Sequence, residues 1–133
     1  MNIKSGILCG KGWEKIYSQV LEAIWTYDDQ QTNPLDKVGV KVVTSQDGKL
    51  SVQVENDYNL PKDIENIIQY AETESLKYCE FCGTKENLGT TLNNDYITCC
   101  QSCWEENILP KYENSLWKNY QTNKYLRKTN YTV

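Results

Sequence analysis

The chain of 133 residues contains no histidine. This absence removes the side chain most often used as a general base, and with it the metal sites that need an imidazole ligand. Arginine is nearly absent too, because the chain has thirteen lysines and the single arginine Arg127. Bidentate recognition of phosphate or guanine, which depends on arginine side chains, is therefore almost excluded. No apolar run reaches the roughly eighteen residues of a membrane helix, and the first residues lack a signal-peptide pattern. We therefore expect a cytoplasmic protein that is not an enzyme and does not enter a membrane.

The charges are unevenly placed along the chain. The formal net charge is -4, from 14 basic and 18 acidic residues, and the aromatic residues are mainly ten tyrosines and four tryptophans. Residues 110–133 carry five cations and only Glu113 as an anion, so the C-terminal tail is basic and the remainder is acidic. A net acidic protein is not attracted to nucleic acid as a whole. Any such binding would therefore depend on the tail.

Periodicity predicts the elements of the first part of the chain. Apolar residues at helical spacing predict a helix from Trp13 to about Asp28. Alternating valines and leucines on either side of Asp47-Gly48 predict a β-hairpin over residues 38–55. A second helix is predicted from Pro61 to about Lys77, with proline in its first turn.

The second part of the chain has weaker signals. Residues 88–92 and 96–99 are typical of two short strands. Apolar residues at every fourth position from Trp104 to Tyr120 predict a C-terminal helix that Pro110 kinks or breaks. We expect an α+β fold in one compact domain. Its first portion, residues 1–77, holds a helix, a hairpin and a second helix, and residues 78–133 hold a metal module, a helix and a basic tail.

The cysteines give the strongest signal in the sequence. Cys79 and Cys82 form one C-x2-C pair, Cys100 and Cys103 form another, and the spacing between the pairs is typical of a four-cysteine zinc site. Each pair fits a tight turn that presents two sulfurs to one ion, and Gly83 provides tolerance of positive φ after the first. We expect one structural zinc ion in a treble-clef-like arrangement, with the second pair at a helix N-terminus.

Three alternatives concern the sulfurs. A rubredoxin-like iron site fits the first pair, although Trp104 rather than glycine follows the second. Cys99 adjoins Cys100 and is an alternative ligand, but a small buried strand residue is the simpler interpretation. Cys9 is a packed thiol, a reactive thiol or a further sulfur near the metal.

The order of these motifs resembles a family of small phage and bacterial proteins with an N-terminal CG-x-GW motif and a C-terminal pair of zinc knuckles. The matching segments are Cys9-Gly10-x-Gly12-Trp13, Val40-Lys41 through Gly48-x-Leu50, Ala71-Glu72-x-x-Ser75, Cys79-Glu80-x-Cys82-Gly83 and Thr98-x-Cys100-x-x-Cys103. The resemblance covers residues 9–103 and implies the fold and the zinc ion. It implies no particular activity.

Three functions fit these observations. The first is a non-enzymatic, zinc-stabilised, phage-encoded binding protein that inhibits or redirects a host or defence protein complex, since an acidic surface can engage a basic groove. The second is a nucleic-acid-binding zinc-finger regulator that uses the basic, aromatic C-terminal segment. The third is a binder of a small anion at the glycines before the first helix. The candidate ligand or partner contacts are Lys11, Trp117, Tyr120, Lys124, Tyr125 and Arg127.

Overall fold

The computed structural model describes residues 3–58, 60–92 and 95–128, which form a mixed α/β structure with three helices and two antiparallel sheets. The elements are α1 (Glu14–Asp29), β1 (Val40–Gln46), β2 (Lys49–Val54), α2 (Lys62–Ser75), β3 (Leu88–Thr91), β4 (Thr98–Cys100), α3 (Gln101–Cys103), β5 (Trp117–Asn119) and β6 (Tyr125–Leu126). Short 3-10 turns cover Lys11–Trp13 and Pro34–Asp36. None of the helices in the described ranges is long and apolar enough to span a membrane.

The first helix forms where its apolar periodicity predicts it. The side chains of Tyr17, Val20, Leu21 and Ile24 lie on one face of α1 and are buried. In the last turn of the helix, the carboxylate of Asp28 accepts the backbone N–H groups of Val38 and Gly39, the two residues that lead into β1, at 2.7 and 2.9 Å. The end of α1 thereby fixes where the hairpin begins.

The predicted hairpin is confirmed, with its turn at Asp47-Gly48. Gln46 pairs with Lys49, so the loop has two residues, and both have positive φ: 54° at Asp47 and 84° at Gly48. Two positive φ values are the mark of a type I′ turn, whose twist matches that of the strands it joins. Residues 3–8 also run beside β1 through two parallel bridges, which no sequence pattern predicts.

The second helix covers the hairpin. Ile64, Ile68, Ala71 and Ser75 form the buried face of α2. The hydroxyl of Ser75 is fully buried; it accepts the N–H of Leu50 in β2 at 2.9 Å and donates to the carbonyl of Glu72. Together α1, α2 and the hairpin enclose the first hydrophobic core.

The second sheet corrects the expected C-terminal helix. Its strand order is β4-β3-β5-β6, and every pairing is antiparallel. Helix α3 continues only as a π-type turn over Trp104–Ile108, and Pro110 follows. Since proline has no N–H to donate and disfavours a helical residue before it, the helix stops there. The chain then returns along the free edge of β3 as β5 instead of continuing as a helix.

Tryptophans fill the second core. The rings of Trp104 and Trp117 stack with centroids 5.9 Å apart and planes 21° apart. The indole N–H of Trp117 donates to the carbonyl of Cys99 at 3.0 Å, and that of Trp104 donates to the hydroxyl of Ser115 at 3.1 Å. Trp117 is only 1% exposed. The expectation that it is a partner contact is therefore wrong, because its ring fills the space above Gly89 and beside Trp104.

Candidate metal centre

The four expected sulfurs converge in the structure. The Sγ atoms of Cys79, Cys82, Cys100 and Cys103 all lie within 4.8 Å of one another. The Sγ atoms of Cys82 and Cys100 are 3.7 Å apart. Four sulfurs at about 2.3 Å from a tetrahedral ion are separated by about 3.8 Å. A disulfide needs about 2.05 Å, so the spacing fits a shared metal ion and not a covalent bond.

The first pair lies on a tight turn, the first knuckle (residues 79–83). Gly83 has φ of 80° and donates its N–H to the carbonyl of Cys79 at 2.9 Å. Burial opposes ionisation of the Cys79 thiol, yet backbone N–H groups, those of Cys100 and Cys82 among them, donate to its sulfur and lower its pKa overall. Hydrogen bonds to the charged form stabilise a thiolate. The knuckle is thus prepared for a metal-bound sulfur.

The second pair lies where β4 passes into α3. The N–H of Cys103 donates to the sulfur of Cys100, as the N–H of Cys82 does to Cys79. Burial raises the pKa of both Cys100 and Cys103. A divalent cation bound among these sulfurs would provide the positive charge that a buried thiolate needs.

Three of the four cluster cysteines are buried, and the fourth is exposed. Cys79, Cys100 and Cys103 are 0%, 6% and 8% exposed, whereas Cys82 is exposed. The groove between α1 and α2, about 840 Å³ in volume, reaches Cys82 and Gly83 at one end. An ion in the cluster would therefore meet solvent mainly beside Cys82.

Glu80 joins the knuckle to the glycine loop, residues 9–12. Its carboxylate accepts the N–H of Gly10 at 3.0 Å, and its carbonyl accepts the N–H of Gly12 at 2.7 Å. Burial raises the pKa of Glu80, while the N–H of Gly10 and the hydroxyl of Ser45 act in the opposite direction. Among the described residues, the anion that the glycine loop holds is thus the protein's own carboxylate. Lys11, expected to bind an external anion there, is exposed.

Both glycines are required by this contact. A Cβ atom on Gly12 would overlap the carbonyl of Cys79 and lie 2.6 Å from both the oxygen of Glu80 and the nitrogen of Gly83. A Cβ atom on Gly10 would overlap the carbonyl of Glu80. Sequence reasoning missed the role of Glu80; the available signal was two glycines in four residues, which can mark a close approach of another chain segment.

The other two cysteines lie outside the cluster. Cys99 is fully buried in β4, and burial raises its pKa. Cys9 packs against the first core, and burial followed by the nearby charge of Glu80 raises its pKa to about 11. Burial thus disfavours the thiolate form of both side chains.

The remaining candidate contacts lie at the surface near the C-terminus. Tyr120 and Tyr125 are 43% and 53% exposed. Lys124 and Arg127 are also exposed. Lys11 lies apart from them, on the 3-10 turn before α1.

Comparison with known proteins identifies no relative of this chain. Neither protein-family models, nor the curated proteins, nor the solved structures give a match to this chain.

Proposed function

We propose that the four-cysteine cluster binds one zinc ion. The single observation that carries this is the convergence of four sulfurs within 4.8 Å from two C-x2-C pairs. The N–H groups directed at Cys79 and Cys100 support thiolate ligands. The first knuckle, the β3–β4 hairpin and the start of α3 follow one another along the chain. This is the order of elements in a treble clef, which is a common setting for structural zinc.

We further propose that this zinc ion is structural and that the protein acts by binding. Catalytic zinc sites keep one position for water and seldom use four thiolates. Buried or hydrogen-bonded carboxylates that would otherwise be catalytic candidates already have structural partners: Glu80 accepts from the glycine loop, and Asp28 from the start of β1. The chain has no histidine to serve as a base.

A protein with a basic surface is the partner that we propose. A cleft of about 700 Å³ lies between the hairpin turn and the first knuckle. The acidic residues Asp47 and Asp95 line it beside Glu80, whose own carboxylate is held by the glycine loop. Phe81 and Tyr96 add aromatic surface, and no lysine or arginine is among the described residues that line it. Such a lining complements a cationic segment. A host or defence complex that handles nucleic acid presents basic surfaces of this kind.

Native mass spectrometry of gently purified protein, together with elemental analysis, tests the zinc ion and the partner. We expect the chain plus one zinc ion, and a fraction that carries a second protein. Tyr96→Ala should reduce capture of that protein at least tenfold, whereas Tyr58→Ala, at an exposed tyrosine outside the cleft, should not. Iron in place of zinc would refute the metal assignment. A small molecule turned over by the purified protein would refute the binding role.

A further inference from the structure

The C-terminal ribbon, residues 117–127, directs its side chains to two sides. Lys118 pairs across strands with Thr90 on one side and with Tyr125 on the other. Neighbouring residues in a strand point to opposite faces, and directly paired residues share a face. Since Trp117 is buried in the second core, Lys118 and Tyr125 lie on the face that points away from it.

Two tyrosine rings stand on this outer side. Tyr125 is 53% exposed, and the Nζ atom of Lys118 lies 5.6 Å from the centroid of its ring. Tyr120 is 43% exposed, and its position is fixed by its N–H, which donates to the carbonyl of Leu88 at 2.9 Å. Half-exposed rings held by a sheet offer a stacking surface that needs little ordering on binding.

The charged residues of the ribbon itself are all cations. Residues 114–128 contain Lys118, Lys124, Arg127 and Lys128 and no acidic residue. Lys128 pairs with Glu113 at 2.8 Å. Within the part of the chain that the structure describes, Lys118, Lys124 and Arg127 belong to no ion pair. A cationic strip with exposed aromatic rings is complementary to a polyanion with unstacked bases.

We propose that the C-terminal ribbon binds single-stranded nucleic acid. Tyr120 and Tyr125 stack on bases, and Lys118, Lys124 and Arg127 contact phosphates. Duplex DNA is excluded as the preferred ligand because its bases are not available for stacking on a sheet face. With a single arginine the surface has little means of reading base edges, so binding tolerates different sequences. This goes beyond the proposed protein partner, whose cleft is lined by other residues.

The expected binding is modest and steeply dependent on salt. The net charge of -4 opposes the approach of any polyanion, so attraction is confined to the ribbon. Three phosphate contacts on a single strand give a slope of about -2 in a plot of log K against log salt. Loss of one cation should reduce that slope by about 0.7.

Fluorescence anisotropy with the zinc-loaded protein tests the proposal. The probes are labelled oligothymidylate and oligouridylate of twelve nucleotides and a duplex of the same length, at low salt. We expect both single strands to bind and the duplex to bind more weakly. Tyr125→Ala should weaken binding about tenfold, the range of one lost base stack. Tyr125→Phe keeps the ring and should bind like the parent, and Lys118→Gln should lower the salt slope.

Tyr58→Ala is the matched control, an exposed tyrosine far along the sequence from the ribbon. Unchanged zinc content and circular dichroism show that each variant is folded. Absence of binding to either single strand at low salt overturns the proposal, and so does equal binding by the parent and Tyr125→Ala. If the ribbon variants instead lose a captured protein while no oligonucleotide binds, the ribbon is a protein contact and the proposal fails. That result leaves the zinc site and the cleft to be judged by their own experiments.

Discussion

Replacing Gly12 with alanine should separate the glycine loop from the first knuckle. The new Cβ atom would overlap the carbonyl of Cys79 and lie 2.6 Å from the oxygen of Glu80 and from the nitrogen of Gly83. All three neighbours are backbone atoms, so no rotation of a side chain can relieve the overlap. Either the loop or the knuckle must move by several tenths of an ångström.

The expected loss in the free energy of unfolding follows from what that movement disturbs. Inserting a methyl group into a packed site costs about 1–3 kcal/mol. Displacement also weakens two hydrogen bonds, from Gly12 to the Glu80 carbonyl at 2.7 Å and from Gly10 to the Glu80 carboxylate at 3.0 Å. A neutral hydrogen bond contributes about 1 kcal/mol, and one to a charged group about 1.5–3 kcal/mol. With partial relaxation we expect a total loss of about 3 kcal/mol.

Urea unfolding of the zinc-loaded proteins, followed by tryptophan fluorescence, measures this loss. Gly6→Ala is the control, because Gly6 has φ of 80° but nothing within 4 Å of a Cβ atom. Gly6→Ala therefore carries the cost of a left-handed backbone, about 1 kcal/mol, without any overlap. Gly12 is not in a left-handed conformation, so Gly12→Ala carries the overlap alone. Because the overlap falls on the knuckle, Gly12→Ala should also release zinc more readily to a competing chelator.

One combination of results would contradict the packing of the glycine loop against the first knuckle. A Gly12→Ala protein that is as stable as Gly6→Ala, and that holds zinc as tightly as the parent, would show that the loop and the knuckle are not packed together as described. A change in the urea m-value would instead show that the variant differs in the compactness of its native or denatured state, or no longer unfolds in one step. Only a loss at constant m-value supports the expected strain.

Three further changes have separate readouts. Asp28→Ala removes two charged hydrogen bonds at the start of β1 and should lower the free energy of unfolding by about 3 kcal/mol, whereas Asp29→Ala, at an exposed neighbour, should change it by less than about 0.5 kcal/mol. Cys99→Ala should keep one metal ion per chain by elemental analysis, while Cys100→Ser should lose it, because only Cys100 belongs to the cluster. Trp117→Phe removes the indole N–H and part of the stack and should cost about 2 kcal/mol in thermal or urea unfolding; an unchanged stability would contradict its place in the second core.

The sequence predicted the elements whose signals are local. The Asp47-Gly48 turn needs only two residues that accept positive φ between alternating strands, and α1 needs only its own apolar periodicity. The convergence of the four cluster cysteines was equally predictable, because each C-x2-C pair is a local turn and two such pairs at this spacing are typical of one metal site.

The C-terminal strands could not be predicted in this way. Trp104, Ile108 and Tyr112 keep a helical spacing, yet Pro110 ends the helix and the pairing of β5 with β3 depends on residues almost thirty positions earlier. A strand edge that is free for pairing is a property of the folded sheet and not of any window of sequence. The contacts of Glu80 with the glycine loop were hidden for the same reason, since that loop lies about seventy residues earlier in the chain.

The first knuckle lies between the two cores and contacts both. The indole of Trp13 donates to the carbonyl of Tyr78, Gly12 donates to Glu80, and the N–H of Glu80 donates to Thr98. Because a chain is synthesised from its N-terminus, the glycine loop, α1 and the hairpin are all made before Glu80, to which the glycine loop donates. The hydrogen bonds of the glycine loop to Glu80 form only after residue 80 has been made. The four sulfurs come together only after Cys100 and Cys103 have been made. The contacts that join the two cores can therefore form only after most of the chain has been made.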